Sequence, residues 1–285
     1  MTDYYLFVGH QAYSNQELLK LTLILDQLSE NQAFGWRLVH SANPDLVLRN
    51  AGSAELANDE HNALTIDFAL SGSPTTDLDN LSYLMAQASI SLSKMHAICS
   101  LGRLLKARHS QGFDTRGVDH LVLNGQLVAV ISFHTDLIGW LLFNSAADFE
   151  HADWQSKPLA ASMPESFFSM SIRQLMWLYA QRSTHNLLPE RYRSNRIRLL
   201  GAPKIPNVNM SDEELFLFSL LSNKSYTLEQ LYSRCDSEVQ RIDNALAGLL
   251  FAGAISSYVF KPSISQRVRA MLTGQDPLDP NDSEH

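Results

Sequence analysis

Residues 4–9 are Tyr4-Tyr5-Leu6-Phe7-Val8-Gly9, an apolar and largely aromatic run that a glycine ends. Such a pattern is typical of a buried first strand. Ser14 and Asn15 can cap a helix directly after it, because leucines recur at helical spacing at positions 18, 19, 21, 25 and 28. The chain therefore opens with a strand, a turn and an amphipathic helix.

Three more short apolar runs predict strands, namely Trp36–His40, Leu46–Leu48 and Leu64–Phe68. A polar loop over residues 71–77 follows, and Asp77 or Asp79 is expected to cap a long helix over about 81–107. Strands that alternate with helices favour an α/β layer with a largely parallel sheet. We assign residues 1–112 to this α/β domain.

The pattern changes beyond residue 112. Asn124-Gly125 separates two apolar runs, residues 120–123 and 127–133. Asn-Gly between such runs is the strongest short signal of a β-hairpin. Residues 137–143 can add a third strand, so we expect a β-rich connector over residues 113–165.

The last third of the chain is predicted to be helical from Ser166 onward, with Pro189 at or beyond the end of the first helix. Three capped helices should follow, beginning near Ser211, Thr227 and Ser237, and then a strand over Ile255–Phe260. The order helix, helix, helix, strand is typical of a winged-helix domain, which we assign to residues 166–262. Residues 263–285 are polar and rich in proline and acid, and are expected to form a disordered tail.

Length and composition are those of an ordinary globular protein. The chain has 285 residues, of which 45% are hydrophobic and 18% are charged, so two compact units and a tail are expected. The sequence shows no signal peptide and no apolar run of about 20 residues, the length of a membrane span. With only two cysteines and no CxxC pair, it is expected to be cytoplasmic with reduced thiols.

Catalytic and cofactor motifs are missing from the sequence. It contains no phosphate-binding GxxxxGK[ST], no GxGxxG, no GxSxG and no HExxH. The ten histidines show no pair at the spacing of a local metal site. We therefore expect a non-enzymatic protein without cofactor or metal, while an enzyme with an unfamiliar site stays an alternative.

Positive charge is concentrated in the middle of the chain. The net charge is -8 overall but +3 over residues 101–200, largely because of Arg191, Arg193, Arg196 and Arg198. If this segment is extended, alternation around Tyr192 and Ile197 would place several guanidinium groups on one side. Arg191, Tyr192, Arg193, Arg196 and Arg198 are then candidates for binding an acidic protein partner or a phosphate. The alternative is an edge strand whose arginines pair within the protein.

A winged helix invites comparison with DNA-binding proteins, in which the third helix enters the major groove. Here the early residues of that helix are predicted to expose a net negative face, formed by Ser237, Glu238, Gln240, Arg241, Asp243 and Asn244. Phosphates would repel such a surface. Nucleic acid is therefore not the expected partner, and a winged-helix transcriptional regulator is the alternative function.

Pro44-Asp45-Leu46-Val47-Leu48-Arg49-Asn50 resembles the phosphoacceptor strand of response-regulator receiver domains. On that match Asn50 occupies the acceptor position, where an amide cannot accept phosphate as a carboxylate does. Gly9-His10 stands where receivers carry the acidic pair that binds Mg²⁺, and residues 36–45 are too few for the usual helix. The resemblance therefore implies a degenerate, receiver-like domain.

The second half is similar in layout to PATAN-type bacterial response regulators, which join a pseudo-receiver, a β-rich region and a winged helix. The similarity lies in the hairpin at Asn124-Gly125, the helix starting at Ile172 and the segments 225–231 and 238–250. It implies control of surface motility through contact with a type IV pilus motor ATPase. The expectation is thus an α/β receiver-like domain, an α+β region and a C-terminal winged-helix-like domain, acting as a regulator or adaptor that inhibits a pilus extension motor.

Overall fold

A computed structural model describes residues 3–30, 32–40, 44–52, 63–110, 117–158, 163–205 and 209–259. The strands in these ranges form three sheets, with four, five and two strands. The three largest hydrophobic clusters each include strand residues of a different sheet. No helix within the described ranges is both long and apolar enough to cross a bilayer.

The N-terminal sheet is parallel, as its sequence predicts. Its strands are β1 (Tyr4–Gln11), β2 (Phe34–Leu38), β3 (Leu46–Arg49) and β4 (Leu64–Asp67), in the order β2-β1-β3-β4. Helix α1 (Asn15–Ser29) begins where expected, because the Ser14 hydroxyl accepts the Glu17 N–H while the Glu17 carboxylate accepts the Ser14 N–H.

A short connector joins β2 to β3, although the two strands are parallel. Strand β2 pairs with residues 4–8 of β1, whereas β3 pairs with residues 8–11 on its other side. The end of β2 and the start of β3 therefore both lie level with Val8, on opposite sides of β1, so the chain crosses β1 between them. Gly9 makes room for this crossing, because a Cβ there would lie 3.0 Å from the Pro44 ring.

The long helix predicted over residues 81–107 is two helices, α2 (Pro74–Ser91) and α3 (Ser93–Ser110), interrupted at Leu92. The predicted cap was also wrong, since Ser73 occupies the N-cap position and Pro74 the first turn, where proline is tolerated. Asp77 lies inside that turn and is buried. Its carboxylate accepts the backbone N–H and the hydroxyl of Ser71 at 2.7 and 2.6 Å.

The central sheet is antiparallel and contains the predicted hairpin. Its strands, in the order β8-β5-β6-β7-β9, are β5 (Val118–Leu123), β6 (Gln126–Ser132), β7 (Leu137–Trp140), β8 (Asp153–Lys157) and β9 (Phe168–Ser171). Asn124 and Gly125 have φ of 51° and 80°, the positive values that a two-residue I′ turn requires. A short helix, α4 (Ala146–His151), lies between β7 and β8, which sequence patterning missed.

Residues 168–171 were predicted to be helical, but they form the edge strand β9 before α5 (Ile172–Arg182) begins. The Ser171 hydroxyl caps α5 by accepting the Gln174 N–H at 3.0 Å. Helix α3 approaches α5 closely, since a Cβ on Gly102 would lie 2.5 Å from the Tyr179 Cβ. The central core therefore contains residues of α3 and α5 together with the sheet.

The C-terminal region contains the three expected helices and the final strand. Its elements are α6 (Arg191–Ser194), β10 (Arg196–Leu199), α7 (Asp212–Asn223), α8 (Leu228–Tyr232), α9 (Val239–Phe251) and β11 (Ile255–Tyr258). Strands β10 and β11 pair antiparallel, and Tyr226 adds a bridge to Ile197. The winged-helix assignment stays a prediction, and the predicted disordered tail lies outside the described residues.

A buried ion pair joins the N-terminal sheet to α5. Arg182 Nη2 lies 2.9 Å from Asp45 Oδ1, and each side chain is only 5% exposed. The other oxygen of Asp45 accepts the Phe7 N–H at 2.8 Å, and the Arg182 guanidinium stacks 4.8 Å from the centre of the Phe7 ring. These contacts bring the connector between β2 and β3 against the end of α5.

Candidate interaction surface

The arginine-rich segment is not extended throughout, as the alternation suggested. Arg191 and Arg193 lie in the helical turn α6, whereas Arg196 and Arg198 lie in strand β10. The prediction of one extended segment was therefore wrong, because Pro189 and Glu190 accept backbone bonds that close a helical turn. The side chains of the segment consequently point in different directions.

Three of the five candidate side chains are engaged within the protein. Tyr192 is buried in the C-terminal core, and the buried Arg196 donates to the Ser225 carbonyl at 3.3 Å. Arg193 lies 3.5 Å from the buried Asp243 carboxylate. For these three residues, the alternative of contacts within the protein describes the structure better than a docking role does.

Arg191 and Arg198 remain exposed. The Arg191 guanidinium lies 5.2 Å from the centre of the Tyr192 ring, and that of Arg198 lies 5.4 Å from the centre of the Tyr258 ring. Stacking of this kind restrains an arginine side chain while its N–H groups can still reach a partner. These two cations are the part of the predicted patch that a partner can contact.

Helix α9, the third helix of the predicted winged helix, is enclosed by the rest of the protein. It packs against both α5 and α7, and eight consecutive residues are buried: Ile242, Asp243, Asn244, Ala245, Leu246, Ala247, Gly248 and Leu249. Eight consecutive residues exceed two helical turns, so no side of this stretch faces solvent. Residues 242–249 of α9 therefore have no free face to insert into a DNA groove, whereas Val239 and Arg241 in its first turn are exposed.

Asp243 and Asn244 were expected on the exposed face of that helix, and this expectation was wrong. The Tyr232 hydroxyl donates to Asp243 Oδ1 at 2.5 Å. The Asn244 amide donates to the Ser183 carbonyl at 2.8 Å and also accepts from Gln240. Both side chains therefore satisfy polar groups inside the protein rather than facing a ligand.

Asn50 lies directly after β3, at the end where the resemblance to receivers places the acceptor. Its side-chain oxygen accepts the Gly52 N–H at 3.0 Å, and its NH₂ group donates to Glu17 Oε1 at 3.4 Å. A carboxylate at this position would face the Glu17 carboxylate instead of donating to it. Glu17 is an acid near the acceptor position that the sequence comparison missed, because it lies in α1 rather than after β1.

A cleft of about 230 Å³ lies between the end of β2 and the start of α7 and α9. Its lining includes two cations, Arg37 and Arg241, and two acids, Asp212 and Glu213, together with His40. Arg241 Nη1 lies 3.5 Å from Glu213 Oε1, so part of this charge is already paired. Sequence patterning did not predict this cleft, because the residues that line it are far apart in the chain.

Glu214, in the first turn of α7, is completely buried. Its carboxylate accepts the Trp177 indole N–H at 2.7 Å and the Gln181 amide N–H at 2.9 Å, both from α5. Burial raises the pKa of Glu214 to about 7, although hydrogen bonds from Ser211, Trp177 and Gln181 act in the opposite direction. The Glu214 side chain thus ties α7 to α5 in addition to capping the start of its own helix.

No protein-family model, curated protein or solved structure matches this chain.

Proposed function

We propose that this protein is a non-enzymatic regulator or adaptor that acts by binding another protein. The observation that carries the proposal is the enclosure of α9 between α5 and α7. A winged-helix DNA-binding protein needs a free third helix for the major groove. Its burial favours a role for the C-terminal region in packing and protein interaction.

Arg191 and Arg198 are the proposed contacts with that partner. Both are exposed, and each stacks on a tyrosine ring. Exposed guanidinium groups bind carboxylates with paired hydrogen bonds, so the partner surface is expected to be acidic. Arg193 and Arg196 would support this surface through Asp243 and Ser225 rather than contact the partner.

The proposed partner is a type IV pilus extension motor ATPase, and the proposed effect is inhibition. This step rests on the similarity in layout to PATAN-type regulators. Asn50 supports a mode of action without phosphorylation at this position, because its amide is engaged with Glu17 and Gly52. Binding alone would then alter the motor.

Charge reversal tests the surface. We expect the double variant Arg191→Glu with Arg198→Glu to lose at least about tenfold in affinity for the motor, since two charge-assisted contacts become repulsive. The measurement is a pull-down followed by titration calorimetry with the purified ATPase, together with its ATP hydrolysis rate. Circular dichroism should show an unchanged fold, because both side chains are exposed.

The matched control changes the net charge by the same amount elsewhere. Lys20→Glu with Lys157→Glu alters exposed residues of α1 and β8, and should leave motor binding unchanged. Equal loss in both double variants would indicate a general charge effect and would contradict the proposed surface.

A gel shift at low salt tests the alternative of a transcriptional regulator. Non-specific DNA binding is strongest at low ionic strength, so even a weak binder should retard DNA there. We expect no retardation, because residues 242–249 of α9 are buried and the chain carries a net charge of -8. A shift that Arg241→Glu abolishes would instead place DNA at α9 and overturn the proposal.

A further inference from the structure

His10 and His40 lie 30 positions apart in the sequence, yet their side chains meet. Val8 of β1 lies opposite Leu38 of β2. Continuing this parallel register by two residues sets His10 opposite His40. Motif searches within one helix or loop cannot detect such a pair, because its spacing is set by strand pairing.

The two rings present nitrogen atoms to each other. His10 Nε2 and His40 Nδ1 lie 2.8 Å apart, the ring centroids are 4.6 Å apart, and the ring planes are perpendicular. His40 is exposed and His10 is half-buried, so solvent reaches the pair. This arrangement brings two imidazole ligands together at the carboxyl ends of neighbouring strands.

We propose that His10 and His40 bind a divalent transition-metal ion, with Cu(II) preferred over Ni(II). Two nitrogen ligands at right angles, each about 2.0 Å from a metal, are separated by about 2.8 Å, whereas tetrahedral ligands are separated by about 3.3 Å. The present 2.8 Å is a hydrogen-bond distance, and it shows that both rings can bring a nitrogen as close to the other as neighbouring corners of a square-planar or tetragonal site require. Copper binds more tightly than nickel at nitrogen sites, and water completes the coordination.

Binding requires only a local rearrangement of the rings. Without metal, one ring nitrogen carries a proton and donates a hydrogen bond to the nitrogen of the other ring. The donor ring binds metal after its proton moves, through solvent, to the other nitrogen of the same ring. Both rings then turn about their Cβ–Cγ bonds until the two lone pairs converge, with no net release of a proton.

The surroundings of His40 do not oppose a cation. Asp212 and Glu213 line the same cleft as His40. The two arginines of that cleft balance these two acids in formal charge: Arg241 pairs with Glu213, and the Arg37 guanidinium stacks 4.1 Å from the centre of the Tyr5 ring. A bound ion would link β1 to the end of β2 beside the cleft.

Metal titration of the full chain, purified without a histidine tag, tests the site. Cu(II) and Ni(II) are added at pH 7.5, where ordinary histidines are neutral because their pKa is about 6.5. We expect one tight Cu(II) whose electron paramagnetic resonance spectrum shows two imidazole nitrogens. His10→Ala and His40→Ala should each weaken Cu(II) binding by about tenfold or more and remove one nitrogen, since one of two protein ligands is lost.

The control variant is His134→Ala with His151→Ala, which removes two exposed histidines from other parts of the fold. It should keep the wild-type affinity and spectrum. The proposal is overturned if His10→Ala and His40→Ala bind Cu(II) as tightly as the wild type, or if the control variant loses the ion. His10→Gln and His40→Gln, which keep a polar side chain of similar length, serve for the same comparison if an alanine variant does not fold.

Discussion

Asp45→Ala is expected to lower the free energy of unfolding by about 3–5 kcal/mol, because it leaves a buried guanidinium without its counter-ion. Arg182 is 5% exposed, and its Nε and Nη1 atoms have no hydrogen-bond partner among the described residues. The variant also removes the acceptor of the Phe7 N–H. Guanidinium denaturation at pH 7, followed by circular dichroism, measures the loss.

An exposed ion pair provides the control. Arg49 and Asp67 make a two-pronged contact at 2.5 and 2.9 Å on neighbouring strands, with side chains 34% and 53% exposed. Water screens such a pair, so Asp67→Ala should cost less than about 1 kcal/mol. If Asp45→Ala lowers the free energy of unfolding no more than Asp67→Ala does, the ion pair of Asp45 with Arg182 does not hold the N-terminal sheet and α5 together.

A double replacement separates the charge from the packing. Asp45→Leu with Arg182→Met removes both charges and keeps apolar volume. Buried ion pairs replaced in this way often lose little stability, so the double variant should be more stable than Asp45→Ala. A double variant less stable than Asp45→Ala would show that shape rather than the unpaired charge dominates at this junction.

Glu214 is expected to make the stability of the protein depend on pH between about 4.5 and 7. Burial raises the pKa of Glu214 from 4.5 to about 7 in the folded protein, so the folded state holds a proton that the unfolded chain has released. The resulting stabilisation is complete below pH 4.5 and is lost as the pH rises through 7. A shift of this size corresponds to about 3 kcal/mol.

Comparison with Glu214→Gln isolates this effect, because the amide does not titrate. His96 acts in the opposite direction, since burial lowers its pKa to about 4 and its contribution is lost as the pH falls. That contribution is present in both proteins and cancels. The difference in unfolding free energy between wild type and Glu214→Gln should therefore change by about 3 kcal/mol from pH 4.5 to 8.

Trp177 reports the same titration directly. Its indole N–H donates to Glu214 Oε1 at 2.7 Å, so its proton chemical shift should follow the charge of the carboxylate. The expected midpoint lies near pH 7. A midpoint at or below the ordinary value of 4.5 would mean that the three hydrogen bonds outweigh burial and would remove the predicted pH dependence.

Where a few neighbouring residues specify an element, the structure has that element where the sequence predicts it. Ser14 with Glu17, Ser211 with Glu214 and Thr227 with Gln230 each form a complete capping box at the predicted start of a helix. The Asn124-Gly125 hairpin also has the expected turn geometry. These signals act over two to four residues, so the order of residues is enough to reveal them.

The errors arose where distant parts of the chain decide the local structure. Residues 168–171 form a strand because β7 offers them an edge to pair with. Arg193 lies beside Asp243 because the carboxylate of this α9 residue also accepts the Tyr232 hydroxyl of α8, not because of any pattern in its own segment. Tertiary contacts of this kind override local propensity.

The local sequence thus determines the parallel α/β layer, the hairpin and the three C-terminal helices. Which residues can act together is decided only by tertiary packing. His10 meets His40 across 30 positions through strand register, Asp45 meets Arg182 across 137 positions through burial, and α9 loses its free face by packing on α5. Each of these depends on how elements are placed against one another, and hydrophobic pattern and capping specify elements without specifying that placement.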